Sequence, residues 1–170
     1  MEEIEVKILE VDKEEVIKRL KDLGAKKVFD GEIKTTYFDS DDEWLKREGK
    51  VLRLREKGEE LKLTIKKGIS KEEAKIMEEF EVGLDEFEPI KNILNGLGLK
   101  EIQKIIKHRT SYKLNDMHFE FDTHPGIPIF LEIEGPSLDK VKEYVKILGY
   151  SMDDTKPWSV WDVLEYYEKI

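Results

Sequence analysis

Eight short stretches of the 170-residue chain alternate apolar with polar residues at period two: EIEVKIL, TTYFDS, KVLRLREKG, ELKLTIKKG, MEEFEVG, KHRTSYKLN, HFEFDTH and PIFLEIEG. A strand sends successive side chains to opposite faces, so each stretch carries two chemically unlike surfaces. One surface is apolar: Ile4 and Val6, Leu52 and Leu54, Leu61, Leu63 and Ile65, Phe80 and Val82, Phe119 and Phe121, Leu131 and Ile133. The other is charged, and its signs are sorted by strand. Glu79 with Glu81, and Glu132 with Glu134, are purely acidic; Arg53 with Arg55, and Lys62 with Lys66, are purely basic. A solvated face mixes signs. Like carboxylates on one strand face stand about 6 to 7 Å apart and repel, so they need a cation or a basic strand beside them.

Four helices are available to cover the apolar faces. Asp12 caps KEEVIKRLKDLG, with Glu15 completing a capping box and Gly24 as the stop. A second helix runs from Asp85 to Gly98, a third from Ser137 to Gly149, and a fourth follows Pro157. Three times a Glu-x-Glu strand runs into a capped helix ending in Leu-Gly, which indicates pseudo-symmetry within one sheet system. Short polar connections, including a tight turn at Asn115 and Asp116, make the sheet antiparallel. The expected fold is α+β: a closed or nearly closed antiparallel eight-stranded β-barrel with helices packed outside, formed by residues 1–170 as a single domain. The apolar faces lie beneath the helices, and the charged faces line a tunnel.

Charge then narrows function. Glu3, Glu5, Glu79, Glu81, Glu120, Asp122, Glu132 and Glu134 face Lys7, Arg53, Arg55, Lys62, Lys66, Lys107, Arg109 and Lys113. Carboxylates suit hard divalent cations such as Mg²⁺ or Mn²⁺, and Arg and Lys suit phosphate oxygens, so a metal-bridged polyphosphate balances both halves. The chain has no cysteine, which excludes thiolate metal sites and cysteine nucleophiles. Its net charge of -9 argues against a duplex nucleic-acid partner. No apolar run reaches the length of about 20 residues that a membrane span needs, and the N-terminus is unlike a signal peptide, so a cytoplasmic location is expected. There is no Walker sequence. His108, His118 and His124 are read as surface or supporting groups, since a zinc site draws more ligands. Trp158 and Trp161 are read as helix packing, and Tyr37 and Phe38 as core and rim.

In order, EIEVK, YFDS, VLRLR, LKLTIKKG, EEFEV, KHRTSY, FEFD and FLEIEG resemble the CYTH superfamily, the triphosphate tunnel metalloenzymes. The family includes class IV adenylyl cyclases, thiamine triphosphatases, inorganic tripolyphosphatases and RNA triphosphatases. The resemblance implies that Glu3, Glu5, Glu79, Glu81, Asp122, Glu132 and Glu134 lie at the metal. It likewise implies that Arg53, Arg55, Lys66, Lys107 and Arg109, with Lys62 beside them, bind the triphosphate. Lys7 is the candidate to orient or deprotonate a nucleophile, on the expectation of a lowered pKa. The implied reaction is conversion of ATP to cyclic AMP and pyrophosphate, closest to the class IV cyclases. The alternatives are hydrolysis of thiamine triphosphate, tripolyphosphate or a nucleoside triphosphate, or a non-catalytic polyphosphate-binding or nucleotide-binding module. A homodimer is left open. Two positions depart from the family pattern. Met77 stands where many members carry arginine, with Lys75 or Lys71 as substitutes, and Ser159 and Trp161 stand where a Ser-Tyr pair is common.

Overall fold

A computed structural model describes residues 2–169. Its strands are β1 (Glu2–Leu9), β2 (Lys26–Asp39), β3 (Lys50–Lys57), β4 (Glu60–Ser70), β5 (Lys75–Leu84), β6 (Lys100–Leu114), β7 (Met117–Thr123), β8 (Phe130–Gly135) and β9 (Thr155–Lys156). Between and after them run α1 (Lys13–Asp22), α2 (Trp44–Arg47), α3 (Phe87–Gly96), α4 (Leu138–Ile147) and α5 (Val160–Tyr166). The strands pair antiparallel in the order β5-β4-β3-β2-β6-β7-β8-β1, and β1 pairs back onto β5, which closes an eight-stranded barrel. The short β9 adds to β1 alone. No helix among the described residues is long and apolar enough to cross a membrane.

Local chemistry explains the elements. The Asp12 carboxylate accepts the Glu15 N–H at the start of α1, and the Ser137 hydroxyl accepts the Lys140 N–H at the start of α4. Asn115 takes a positive φ of 56° in the β6–β7 turn, a conformation that asparagine tolerates better than most residues. The main core lies between the outer faces of β1, β7 and β8 and the stripes of α1 and α4. There Val6, Phe119, Leu131 and Ile133 meet Val16, Leu20, Val141 and Val145. A second cluster joins α5 to one end of the barrel through Val163, Leu164, Tyr37, Ile105 and Phe130. A third packs Leu94 of α3 on Phe38, Leu52 and Leu54.

Several expectations need correction. Strands β2 and β6 extend well beyond TTYFDS and KHRTSYKLN, because they pair with each other nearly end to end. That pairing rests on backbone hydrogen bonds, which tolerate the lapse of alternation at Ile105 and Ile106 and two register shifts, one at Val28 of β2 and one at Ile102 of β6. The four-residue α2 has no apolar period; the buried Asp39 carboxylate holds it by accepting the Leu45 and Lys46 N–H groups at 2.8 and 3.0 Å. The apolar face of β5 is not beneath a helix. Phe80 and Val82 are 62% and 54% exposed, because α3 directs Leu94 toward β2 and β3 instead.

Candidate functional site

Residues opposite each other in antiparallel strands share a face, so the register decides what the barrel encloses. Glu5 stands opposite Glu134 on one side and Lys75 on the other, and Lys7 stands opposite Glu132. Lys66 faces Glu79, Thr64 faces Glu81, and Arg109 faces Asp122. These side chains turn inward around a cavity of about 730 Å³.

Three carboxylates converge. Oxygens of Glu3, Glu5 and Glu134 all lie within 4.8 Å of one another. Burial, then the charges of Glu3, Glu132 and Glu5, raises the Glu134 pKa to about 8. Burial and Glu132 also push Glu5 upward, but Lys7, Lys75 and Lys66 outweigh them and bring it to about 2. An oxygen-only trio that keeps Glu134 raised even with Lys66 on Glu3 and with Lys7 and Lys75 on Glu5 fits a hard divalent cation, and these three residues would hold it.

The other carboxylates expected at a metal are, like Glu3 and Glu5, paired with bases. Asp122 accepts Arg109 Nε and Nη2, each at 2.6 Å, and Lys107 Nζ at 2.6 Å. Arg109 also pairs with Glu120 and reaches Glu132 at 3.5 Å. Glu132 meets Lys7 at 2.8 Å. Lys66 joins Glu3 and Glu79, and Glu81 takes Lys62 at 2.8 Å, Arg55 at 3.3 Å and the Thr64 hydroxyl at 3.0 Å. Lys62 is the most exposed of the expected phosphate ligands and stands at the rim. Arg53 differs: its Nε is buried, lines the tunnel and has no hydrogen-bond partner among the described residues.

The expectation of a lowered Lys7 pKa is not met. Burial lowers it, but Glu132 and Glu5 on either side raise it further, so Lys7 stays a cation and is suited to donating rather than abstracting a proton. Lys107 is brought down to about 8 by burial and by the adjacent Arg109, and burial also lowers Lys75 and Lys57. Met77 lines the cavity; beside it Lys75 donates to Glu5 at 2.7 Å, whereas Lys71 pairs with Asp162 of α5 at 2.7 Å.

Some of the lining was missed. Lys75, expected only as a stand-in for an arginine at Met77, shares inward parity with Glu79 and Glu81, a signal present in the sequence. The inward face of β2 carries no charge: Ile33, Thr35 and Tyr37 line the cavity together with Val51 and Ile105. His124 continues the inward series of His118, Glu120 and Asp122. It is 3% exposed, its ring stacks on Phe130 with centroids 5.7 Å apart, and its Nε2 has no partner among the described residues.

The sequence pattern of the family described as "CYTH domain" matches residues 1–157. A Methanocaldococcus jannaschii protein named "Putative adenylate cyclase" is 32% identical over 163 residues, covering 94% of this chain and 91% of its own. A solved Pyrococcus horikoshii structure is 26% identical with a TM-score of 0.78, covering 99% of each chain. A Vibrio parahaemolyticus structure described as a "putative adenylate cyclase" shares the fold with a TM-score of 0.85 at 16% identity, covering 96% of this chain and 97% of its own.

Proposed function

The chain belongs to the CYTH domain family, and from that premise we propose that it is a divalent-metal-dependent enzyme that converts ATP to cyclic AMP and pyrophosphate within its tunnel. The observation carrying this reading is the convergence of Glu3, Glu5 and Glu134 in the same cavity as Arg53, whose buried Nε has no hydrogen-bond partner among the described residues. An acidic trio and a spare guanidinium together match a metal-bound phosphate chain and match neither a bare cation nor a free anion. The name of the Methanocaldococcus jannaschii relative favours cyclisation over hydrolysis.

A bound Mg²⁺ or Mn²⁺ would offset charge on phosphate oxygens. The chain's own residues supply the rest. Arg53, Arg55, Lys66 and Arg109 bind phosphate oxygens and stabilise the charge that develops as the leaving pyrophosphate separates. Lys7, held as a cation between Glu5 and Glu132, positions those carboxylates and adds positive charge at the centre of the tunnel. In cyclisation the ribose 3′-oxygen bonds to the α-phosphorus, the bond from that phosphorus to the bridging oxygen breaks, and the hydroxyl proton leaves to solvent.

The test is incubation of the purified protein with Mg²⁺ or Mn²⁺ and, in parallel, ATP, thiamine triphosphate and tripolyphosphate, with chromatographic separation of products. Cyclic AMP with an equal amount of pyrophosphate is expected. Orthophosphate without cyclic AMP would replace cyclisation by hydrolysis, and no turnover of any substrate would leave a binding module.

A further inference from the structure

The tunnel is not uniformly charged along its length. Its charged part runs through the registers that join Glu5, Lys7, Lys66 and Arg109 to their partners. At the end where α5 packs, Tyr37, Val51, Ile105, Val160 and Trp161 join the lining, beside Ser159 and Lys71. Tyr37 stands directly opposite Arg53, so the aromatic end begins at Arg53. The Tyr37 and Trp161 rings meet edge to face with centroids 4.8 Å apart. Phosphate oxygens gain nothing from such walls, whereas a planar organic group gains both burial and ring contacts.

His124 is a buried polar group at this end, which Ser159 and Lys71 also line. His124 stacks on Phe130, which packs in the same cluster as Tyr37 and Ile105, and its ring is part of the cavity wall. The residue is 3% exposed, yet Nε2 makes no hydrogen bond among the described residues. An imidazole nitrogen is a donor or an acceptor in every protonation state, and burying one without a partner carries a cost. The family resemblance gave His124 no role, and no ion pair among the described residues involves it.

Resting on the triphosphate reading above, we propose that the α5 end of the tunnel receives the organic part of a triphosphate ester and that His124 Nε2 hydrogen-bonds a polar atom of that part. His124 is then a specificity-determining residue, selecting an organic triphosphate over inorganic tripolyphosphate. A cavity of about 730 Å³ is in the range that encloses a ligand larger than the phosphate chain alone.

The experiment is calorimetric binding of ATP and of tripolyphosphate to the full chain, each with Mg²⁺ present, for the native protein, His124→Phe and His124→Gln. Phenylalanine keeps the stack on Phe130 and removes the hydrogen bond, and glutamine keeps a hydrogen-bonding end. The expected result is an ATP Kd raised about fivefold by His124→Phe and largely restored in His124→Gln, with tripolyphosphate affinity unchanged in both. The unchanged tripolyphosphate affinity also shows that the barrel is intact. Equal weakening of both ligands, or no change in either, overturns the assignment of His124 while leaving the triphosphate reading standing. Failure of the native protein to bind either ligand overturns both.

Discussion

Glu134 and Arg53 have opposite electrostatic situations, and each leads to a measurable consequence. Burial and the charges of Glu3, Glu132 and Glu5 raise the Glu134 pKa from 4.5 to about 8, so the fold holds a proton that the unfolded chain releases. That contribution is fully present below pH 4.5 and is lost as pH rises through about 8. Metal-free protein should therefore lose thermal stability across this window, and Glu134→Gln should flatten the loss and raise Tm by about 3 to 6 °C at pH 8. Adding Mn²⁺ should stabilise the native protein and not the variant. Melting curves in chelator at stepped pH check this, and an identical pH profile in the variant would remove Glu134 from the account. Arg53 has no hydrogen bond at its buried Nε, whereas Arg109 forks onto Asp122, a residue 1% exposed. Arg53→Met should leave the urea midpoint unchanged or higher and weaken tripolyphosphate binding at least tenfold. Arg109→Met leaves the buried Asp122 with Lys107 alone and takes the guanidinium from Glu120, and should cost about 3 kcal/mol of stability. Equal destabilisation by the two would show that Arg53 has a structural partner.

Elements were legible where a buried face imposed a period. β1, β7 and β8 bury one face under α1 and α4, and their alternation is correspondingly strict. The same strictness separated acids from bases and so exposed the tunnel before any pairing was known. β2 and β6 obey no such constraint over much of their length, where Val28, Ile102 and Ile106 are exposed, and their extent is set by pairing with each other. The acidic trio illustrates the limit. Glu3 and Glu5 declare a shared face by spacing, but only the β1–β8 register selects Glu134 to join them rather than Glu79, Glu81 or Asp122. The uncharged inward face of β2 and the orphaned nitrogen of His124 depend in the same way on register and burial. Neither quantity is written in a strand's own alternation. The exposed apolar face of β5 was misread because period two shows that two faces differ without showing which one is covered.

At the scale of the whole molecule, barrel closure and ligand binding depend on the same strand. β1 pairs with β8 from Ile4 to Leu9 but with β5 only from Glu2 to Glu5, so the β1–β5 seam has fewer backbone bonds than the junction beside it. Across that seam Lys75 bonds Glu5, and Lys66 reaches Glu3 from the next strand, with each carboxylate also belonging to the acidic trio. A cation held by Glu3, Glu5 and Glu134 would tie β1 to β8 and reduce the repulsion among the three groups. A phosphate chain gripped by Arg53, Arg55 and Lys66 would then tie β1, through the shared metal, to β3 and β4. Ligand would thus close the barrel on the side where its backbone bonding is least. Hydrogen exchange should find the β1–β5 amides to be the fastest among the barrel's paired strands in metal-free protein, because local opening follows the least-bonded junction. Mg²⁺ with tripolyphosphate should slow them at least tenfold while leaving the β7–β8 amides nearly unchanged. Uniform protection across all junctions would mean that the barrel opens only by global unfolding and that the seam has no separate part in admitting ligand.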